Sequence, residues 1–306
     1  MFNRSLVIAI ANNPTSPYAY DSILSVYDFV DEVLVADLGI DPALKERLSK
    51  LDKVVFKKYL EKVPFIEKIR SNLITQTKSD FVIYLDPDEL FPFAVAKQLD
   101  EFQKSYDFIS IPRKNIIFGK WMEHSRWWPD YQIRFFNKKN VQWKPILHAQ
   151  PVAEGTSIAL DPLDQNAILH YNYSSIDEYL AKSLRYAKSD AQTRVENGED
   201  YSLKVATTTG LSEFMSRFFA GSGYKDGIHG FVLAFFQFVY YFIVYFYYWE
   251  LKKYPPVPEK ELVHTTNYIF SQGMYETSHW LSKLNLLSGL DKIGRKIVNR
   301  LIDLLR

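Results

Sequence analysis

The chain has 306 residues and no cysteine. That excludes a disulfide frame, a thiolate nucleophile and a Cys-ligated zinc site, and it fits a reducing compartment. Neither sign of charge is in excess. The formal net charge is +1, so no global basic field points to nucleic acid, and no nucleic-acid partner is expected. Internal repeats and low-complexity linkers are absent as well. The first apolar run, residues 6–11, is too short for a signal-peptide core and is followed at once by Asn-Asn-Pro, so it reads as a strand. What the chain has in quantity is apolar and aromatic surface, 47% and 16% of residues. That is ample for a large core and for one or two domains.

Strand-like and helix-like segments alternate through the first third. Residues 6–11, 33–36, 54–56, 81–85 and 108–111 read as strands; 41–51, 65–76 and 93–103 read as helices. Pro42 stands near the start of its helix, a helix-opening pattern. This β-α-β-α order predicts an α/β fold with a doubly wound, mostly parallel sheet.

The stretch that organises this part is Phe-Val-Ile-Tyr-Leu-Asp-Pro-Asp-Glu-Leu-Phe-Pro, residues 81–92. Residues two apart on an extended chain point the same way. Asp86 and Asp88 are therefore expected to project together from the carboxyl end of a buried strand, where open α/β sheets bind ligands. Two converging carboxylates favour a cation between them, and hard oxygen ligands suit Mg²⁺ or Mn²⁺. The bland alternative is an acidic turn that only ends a strand.

The middle of the chain, residues 115–143, is dense in aromatic and polar groups. Residues 131–136 alternate as a strand. Gln132 and Arg134 share one face, with Asp130 on the same side, while Tyr131, Ile133 and Phe135 are expected to face the core. A second β-rich piece, 151–173, carries His170 after an apolar run.

Beyond residue 174 the pattern turns helical. A helix is expected from Ser175 to about Val195, and another over 211–220. Residues 228–249 contain no Asp, Glu, Lys or Arg. As a helix of about 22 residues they would be long enough to cross a bilayer core of about 30 Å. Their Tyr-rich second half suits the headgroup interface, and a buried core helix is the alternative. The tail, 284–306, is amphipathic, with Lys292, Arg295, Lys296 and Arg300 among its polar positions. Such a helix lies on an anionic membrane or packs on protein; beside the 228–249 run the membrane is preferred. Two regions follow: 1–173, and a helical membrane-associating region, 174–306.

Taken together, these motifs resemble glycosyltransferase family 2, whose fold is GT-A, and within it the lipopolysaccharide-core subgroup. That subgroup shows a strand ending D-A-D-E, a G-K-W…H…W-Y-P-D-Y-Q-x-R-x-F block, then V-H-E, then H-Y. Here stand Asp86-Pro87-Asp88-Glu89, then Gly119-Lys120-Trp121, His124 and Trp127-Trp128-Pro129-Asp130-Tyr131-Gln132-Ile133-Arg134-Phe135-Phe136, then Leu147-His148-Ala149 and His170-Tyr171. Arg70 and Asn72 match the family's basic-x-Asn position. Pro87 replaces a small residue, and three further places depart from the pattern. Asn12-Asn13 replaces Asn-Glu, Asp37-Leu38-Gly39-Ile40-Asp41 replaces a longer acidic loop, and Ala149 replaces a glutamate. The first two loops grip the nucleotide in the family, which leaves the donor's base and sugar open.

The resemblance implies a metal-dependent, inverting glycosyltransferase of the cell envelope, of hexosyltransferase type. It would act in lipopolysaccharide biosynthesis, from the cytoplasmic face of the membrane. Its donor would be a nucleotide-diphosphate sugar, a UDP-sugar foremost, and its acceptor a hydroxyl of a membrane-linked glycan or glycolipid. Asp86 and Asp88 would hold Mg²⁺ or Mn²⁺, with His170 or His148 as a third ligand. Asp37, Arg70, Asn72, Asp86 and Glu89 would contact the donor. Asp130 is the expected general base, with His124, Trp127, Trp128, Gln132 and Arg134 on the acceptor side. For Asp130 the structural alternative is a salt bridge to Arg134. Other readings remain open: a polyprenyl-phosphate sugar transferase, a non-catalytic membrane scaffold of the same fold, and a phosphatase using D-x-D as nucleophile.

Overall fold

The computed structural model describes residues 3–11, 16–59, 63, 66–144, 150–287, 289, 294–295 and 300. Asn12, Asn13, His148 and most of the 284–306 tail lie outside the described residues. Two compact units are distinguished: Met1–Glu123 with Trp127–Ser174, and His124–Arg126 with Ser175–Arg306.

The first unit is α/β. Its strands are β1 (Arg4–Ile10), β2 (Glu32–Asp37), β3 (Val54–Lys58), β4 (Phe81–Leu85), β5 (Glu89–Leu90), β6 (Phe108–Ile117), β7 (Lys120–Trp121), β8 (Asp130–Asn137), β9 (Val141–Gln142), β10 (Val152–Ala153), β11 (Ser157–Ala159) and β12 (Ile168–Tyr173). Its helices are α1 (Ala19–Leu24), α2 (Pro42–Ser49), α3 (Glu67–Thr75), α4 (Phe93–Ala96) and α5 (Leu99–Ser105). The main sheet runs β3-β2-β1-β4-β8-β6-β12-β5, with β7 and β11 also paired to β6. β3, β2, β1 and β4 are all parallel. β8 then runs antiparallel between β4 and β6, and β6 pairs with β12 and β11 in parallel.

Side-chain alternation builds a core on each face. Leu6, Ile8 and Ile10 of β1 point to one side, where Ile23 of α1, Leu44 and Leu48 of α2, and Val95 and Leu99 cover them. Val7 points to the other, with Leu73 and Ile74 of α3, Tyr84, Phe136 and Trp143. The sheet is thus wound on both faces, as the alternating pattern predicts. Helix α2 starts where Pro42 indicates, and the Asp41 carboxylate caps it by accepting from the N–H groups of Ala43 and Leu44. The single helix expected over 93–103 is interrupted: Gln98, at φ −104° and ψ 4°, leaves the helical region and separates α4 from α5.

The second unit contains α6 (Ile176–Glu196), α7 (Leu203–Phe214), a π-helical turn (Met215–Ala220), α8 (Ile228–Leu251) and α9 (Glu259–Lys283). Ser175 caps α6 by accepting from the Glu178 N–H. Helix α7 begins well before the expected residue 211, because Ser202 caps it by accepting from the Val205 N–H. Ala187 and Ala191 of α6, Ala206 of α7, and Val244 and Tyr245 of α8 form one core with Tyr201. Small residues set the closest approaches. A Cβ on Gly210 would lie 2.8 Å from the Phe238 carbonyl oxygen, and one on Gly230 only 1.8 Å from that of Gly223. Helix α9 has no counterpart in the sequence reading.

Candidate active site at the carboxyl end of the sheet

Chain order in the parallel half moves from β1 outward to β2 and β3, then returns to place β4 on the other side of β1. Such a reversal opens a crevice at the carboxyl ends of the strands. Asp37 ends β2, and Asp86 follows β4 directly. Both aspartates therefore come to the end of the sheet where a ligand binds in this class of fold.

Asp37 is buried. Its Oδ1 accepts from the N–H groups of Gly39 and Ile40, each at 3.0 Å, and its Oδ2 from Lys45 Nζ at 2.6 Å. Burial works against its charge, but these donors outweigh burial and hold the carboxyl below its ordinary range.

The acidic turn after β4 is locked by arginines. Glu89 is fully buried, and its carboxylate takes four donors. Arg134 gives Nε to Oε2 at 2.8 Å and Nη2 to Oε1 at 2.7 Å; Arg113 gives Nη1 to Oε1 at 2.9 Å; the Asp86 N–H reaches Oε2 at 3.2 Å. Desolvation opposes the charge, yet Arg134, Arg113 and His170 hold the carboxyl down to about 2. Arg134 Nη2 also donates to Asp86 Oδ2 at 2.6 Å. A strand irregularity explains this reach. Ile109 pairs with Phe135 and Ser110 with Ile133, so Arg134 is the extra residue on β8. Such a bulge re-aims a side chain.

Asp130 is not a partner of Arg134. Its Oδ2 accepts from Arg113 Nε at 2.8 Å, Arg113 Nη2 at 2.6 Å and Asn115 Nδ2 at 3.2 Å; its Oδ1 accepts from Gln132 Nε2 at 2.8 Å. Burial raises its pKa, and Arg113 first, then Asn115 and Gln132, bring it below the ordinary value. Oδ1 keeps one lone-pair direction beyond its bond to Gln132. Tyr131, expected in the core, is 39% exposed. It lies near the start of β8, and its hydroxyl donates to the Leu160 carbonyl, so its ring need not be buried to be held.

Asp88 and His170 are both buried. His170 Nε2 lies 3.6 Å from Asp88 Oδ2, and its Nδ1 lies 2.6 Å from Asn115 Oδ1. An amide oxygen only accepts, so Nδ1 carries a proton, and Nε2 is the ring nitrogen that faces Asp88. An orienting bond of this kind accompanies metal-ligating histidines. Asp86 differs: Arg134 occupies its Oδ2, which leaves Oδ1 for a cation. Among the described residues no three His, Asp or Glu are gathered round one point. Taken singly, the Asp88 carboxylate and Asp86 Oδ1 are oxygen donors of the kind Mg²⁺ or Mn²⁺ takes, but the structure does not gather them with His170 into one site.

Arg70 projects from α3 and is buried over Tyr84, its guanidinium carbon 4.7 Å from the ring centroid. Arg134 flanks the same ring at 5.4 Å. Arg70 Nε is buried without a partner among the described residues. Desolvation opposes its charge, yet Tyr84 and Asp86 push its pKa up overall.

The remaining expected residues divide. The Trp127 carbonyl accepts from Asn115 Nδ2 at 2.8 Å, and Trp128 packs edge-on against Trp121 at 5.3 Å. Asn72 is exposed on α3 and accepts from the amide of Gln76, so the structure does not gather it with the acidic turn. His124 belongs to the second unit, where Asp226 accepts from its backbone N–H at 3.0 Å and faces its Nδ1 at 3.1 Å. Arg113 and Asn115 were missed by sequence reasoning. Their one signal was position: two residues apart on a strand, they share a face.

No family model matches the chain. Among solved structures, TarS 1-349 of S. aureus in complex with UDP-GlcNAc aligns at 18% identity and a TM-score of 0.33, over 40% of this chain and 39% of that one. The same protein in complex with UDP aligns at 14% identity and a TM-score of 0.39, over 74% and 75%. The bifunctional IspDF of Campylobacter jejuni aligns at 11% identity and a TM-score of 0.35, over 54% and 51%. The chain thus spans about two fifths of the first of these structures. Scores this low assign neither family nor substrate.

Proposed function

We propose that this chain is an inverting sugar transferase. Its donor is a nucleotide-diphosphate sugar, a UDP-hexose first, and its acceptor a hydroxyl on a membrane-linked glycan or glycolipid. The acceptor oxygen attacks the anomeric carbon from the face opposite the diphosphate. The bond to the diphosphate breaks, and its electron pair leaves with that group. The acceptor proton passes to Asp130 Oδ1, the oxygen with acceptor capacity left.

The observation that carries this reading is Arg70. A buried guanidinium nitrogen without a partner among the described residues, beside an acidic turn at the carboxyl end of β4, is a group that a phosphate oxygen would satisfy. Asp37, at the end of β2, is suited to the nucleoside. Trp127 and Trp128 offer aromatic surface to the acceptor, with Gln132 and Arg134 orienting the polar face of β8. Asp88, with Asp86 and His170, would hold a divalent cation, and such a cation would supply charge neutralisation for the leaving diphosphate.

A second reading is favoured by the low basicity of Asp130. An acceptor that is already an anion, such as a polyprenyl phosphate, needs no strong base. The test is thermal stability with a panel of nucleotide sugars, each with and without Mn²⁺. A ligand that binds only the folded state raises the melting temperature. A rise that requires one donor and the metal, and is lost in Asp88→Ala and in Arg70→Met, is expected. No rise with any donor in a folded sample overturns the proposal. Transfer to a polyprenyl phosphate that survives Asp130→Asn selects the second reading.

A further inference from the structure

Helix α8 is the most apolar element of the chain, and the way its neighbours pack decides how it meets a bilayer. Four of its five most exposed apolar side chains share one face; the fifth, Leu251 at the carboxyl end, is 40% exposed on the other side. Ile228, Phe231, Phe235 and Phe246 are 69%, 42%, 44% and 53% exposed, and at about 100° per residue they fall within roughly 60° of arc. Phe242, partly exposed, lies in the same arc, and Val239, also partly exposed, lies about 20° beyond its edge. Leu233 and Val244 lie on the opposite side and Ala234 and Tyr245 flank the row, and all four are buried. Only 28% of the most apolar stretch of the helix is buried. On α9, Val263, Phe270 and Met274 form a second exposed apolar row, at 68%, 72% and 46%.

The buried side of α8 rests on charged helices. Arg194 and Asp190 of α6 pair at 2.9 Å, and Arg217 and Glu213 pair at 2.9 Å. Burial is the main cause of the raised phenol pKa values of Tyr240 and Tyr241. The Asp190 charge adds to the first, and the Glu213 charge to the second. These two tyrosines stand at the midpoint of α8. A bilayer-spanning α8 would carry both ion pairs, and the charged α6 beside them, into the hydrocarbon centre, where ionised side chains are costly.

We infer that α8 is monotopic: its Ile228–Phe231–Phe235–Phe246 face enters one leaflet of an anionic bilayer while α6 and α7 stay on the same aqueous side. The charge pattern of the chain agrees. Lys252 and Lys253 follow α8 directly, and residues 284–306 carry five cationic side chains against two acidic ones, a balance that favours anionic lipid. The inference rests on the membrane association that the sequence leads one to expect, but not on sugar transfer, so the thermal-shift panel and the test below fail independently.

The absence of cysteine makes that test direct. Full-length Lys225→Cys and Lys252→Cys variants, each carrying a single thiol beside one end of α8, are bound to sealed phosphatidylcholine vesicles containing phosphatidylglycerol. They are then treated with a membrane-impermeant maleimide. Full labelling of both from outside, and flotation with these vesicles but much less with pure phosphatidylcholine, is expected. Protection of either thiol until detergent is added means that α8 spans, and it overturns the inference. So does a failure of the folded chain to float. The triple variant Phe231→Ser, Phe235→Ser, Phe246→Ser is expected to lose vesicle partition at least about ten-fold. Undiminished binding by that variant, or a loss of self-association with binding intact, assigns the face elsewhere. The labelling result stands on chains with these phenylalanines intact, so a misfolded triple variant does not leave the question open.

Discussion

Arg113 and Asp130 are direct partners across strands β6 and β8, and Arg113 Nη2 lies 2.6 Å from Asp130 Oδ2. The same guanidinium reaches Glu89 with Nη1 at 2.9 Å. One arginine thus joins the candidate base to the acidic turn. Asp130→Asn is expected to keep donor binding and to lower turnover by about 10²–10⁴-fold. Donor titration beside single-turnover rates checks both halves. Near-normal turnover removes Asp130 from the role.

Glu89→Gln keeps the shape of the side chain and removes the charge that Arg134 and Arg113 share. Breaking a buried pair from one side leaves uncompensated charge, at a cost of about 3–5 kcal/mol. Denaturant unfolding of the variant against the parent measures it. A loss below about 1 kcal/mol would show that Asp86 and Asp130 alone compensate the two arginines.

The same carboxyl sets an acid limit. Its pKa is depressed to about 2 from an ordinary 4.5. A depressed carboxyl contributes stability fully above its unfolded value, and that contribution fades as pH falls toward the folded value. The gap in stability between parent and Glu89→Gln is therefore expected to be constant above about pH 4.5 and to shrink between there and about pH 2. Unfolding free energies at a series of pH values read this directly. A gap that widens on acidification contradicts the assignment.

Asn115 orients His170 through the 2.6 Å bond to Nδ1. If His170 is a ligand, Asn115→Ala weakens Mn²⁺ binding by about 10–100-fold, as loss of an orienting partner does. His170→Ala and Asp88→Ala weaken it at least as much. Titration calorimetry on the four proteins tests this, and unchanged affinity in His170→Ala strikes the histidine from the ligand set.

Gly230 packs its Cα against the Gly223 carbonyl, where a methyl would sit 1.8 Å from oxygen. Gly230→Ala forces the turn and α8 apart and is expected to destabilise the chain by about 1–3 kcal/mol or more. Gly273→Ala, where a methyl meets only Leu211 Cδ1 at an ordinary 3.9 Å among the described residues, serves as the control in the same unfolding measurement.

The parts of the fold that could be read in advance are those written in local chemistry. The apolar run of β4 followed by Asp-Pro-Asp-Glu, the Asp41-Pro42 helix start and the uncharged length of α8 each carry their own signal. The parts that could not be read depend on register. Arg113 is one arginine in a strand, and nothing local says that it will face Asp130. The displacement of Arg134 toward Glu89 arises from a single unpaired position between two strands, which alternation alone cannot foresee. The split of α4 from α5 has no proline or glycine to mark it, and α9 mixes polar and apolar residues without a strong stripe. His124 looked continuous with the tryptophans after it, yet it packs in the other unit, because its partner Asp226 lies 102 residues away.

That excursion decides how the protein can be dissected. Ser125 donates its backbone N–H to the Gly221 carbonyl, and Arg126 reaches Glu213 and Ser216. A fragment ending at residue 174 would therefore keep His124, Ser125 and Arg126 while losing every one of these partners. No single cut in the chain yields both units whole. Measurements on a fragment shortened to residue 174 would report on a chain in which residues 124–126 have lost these partners.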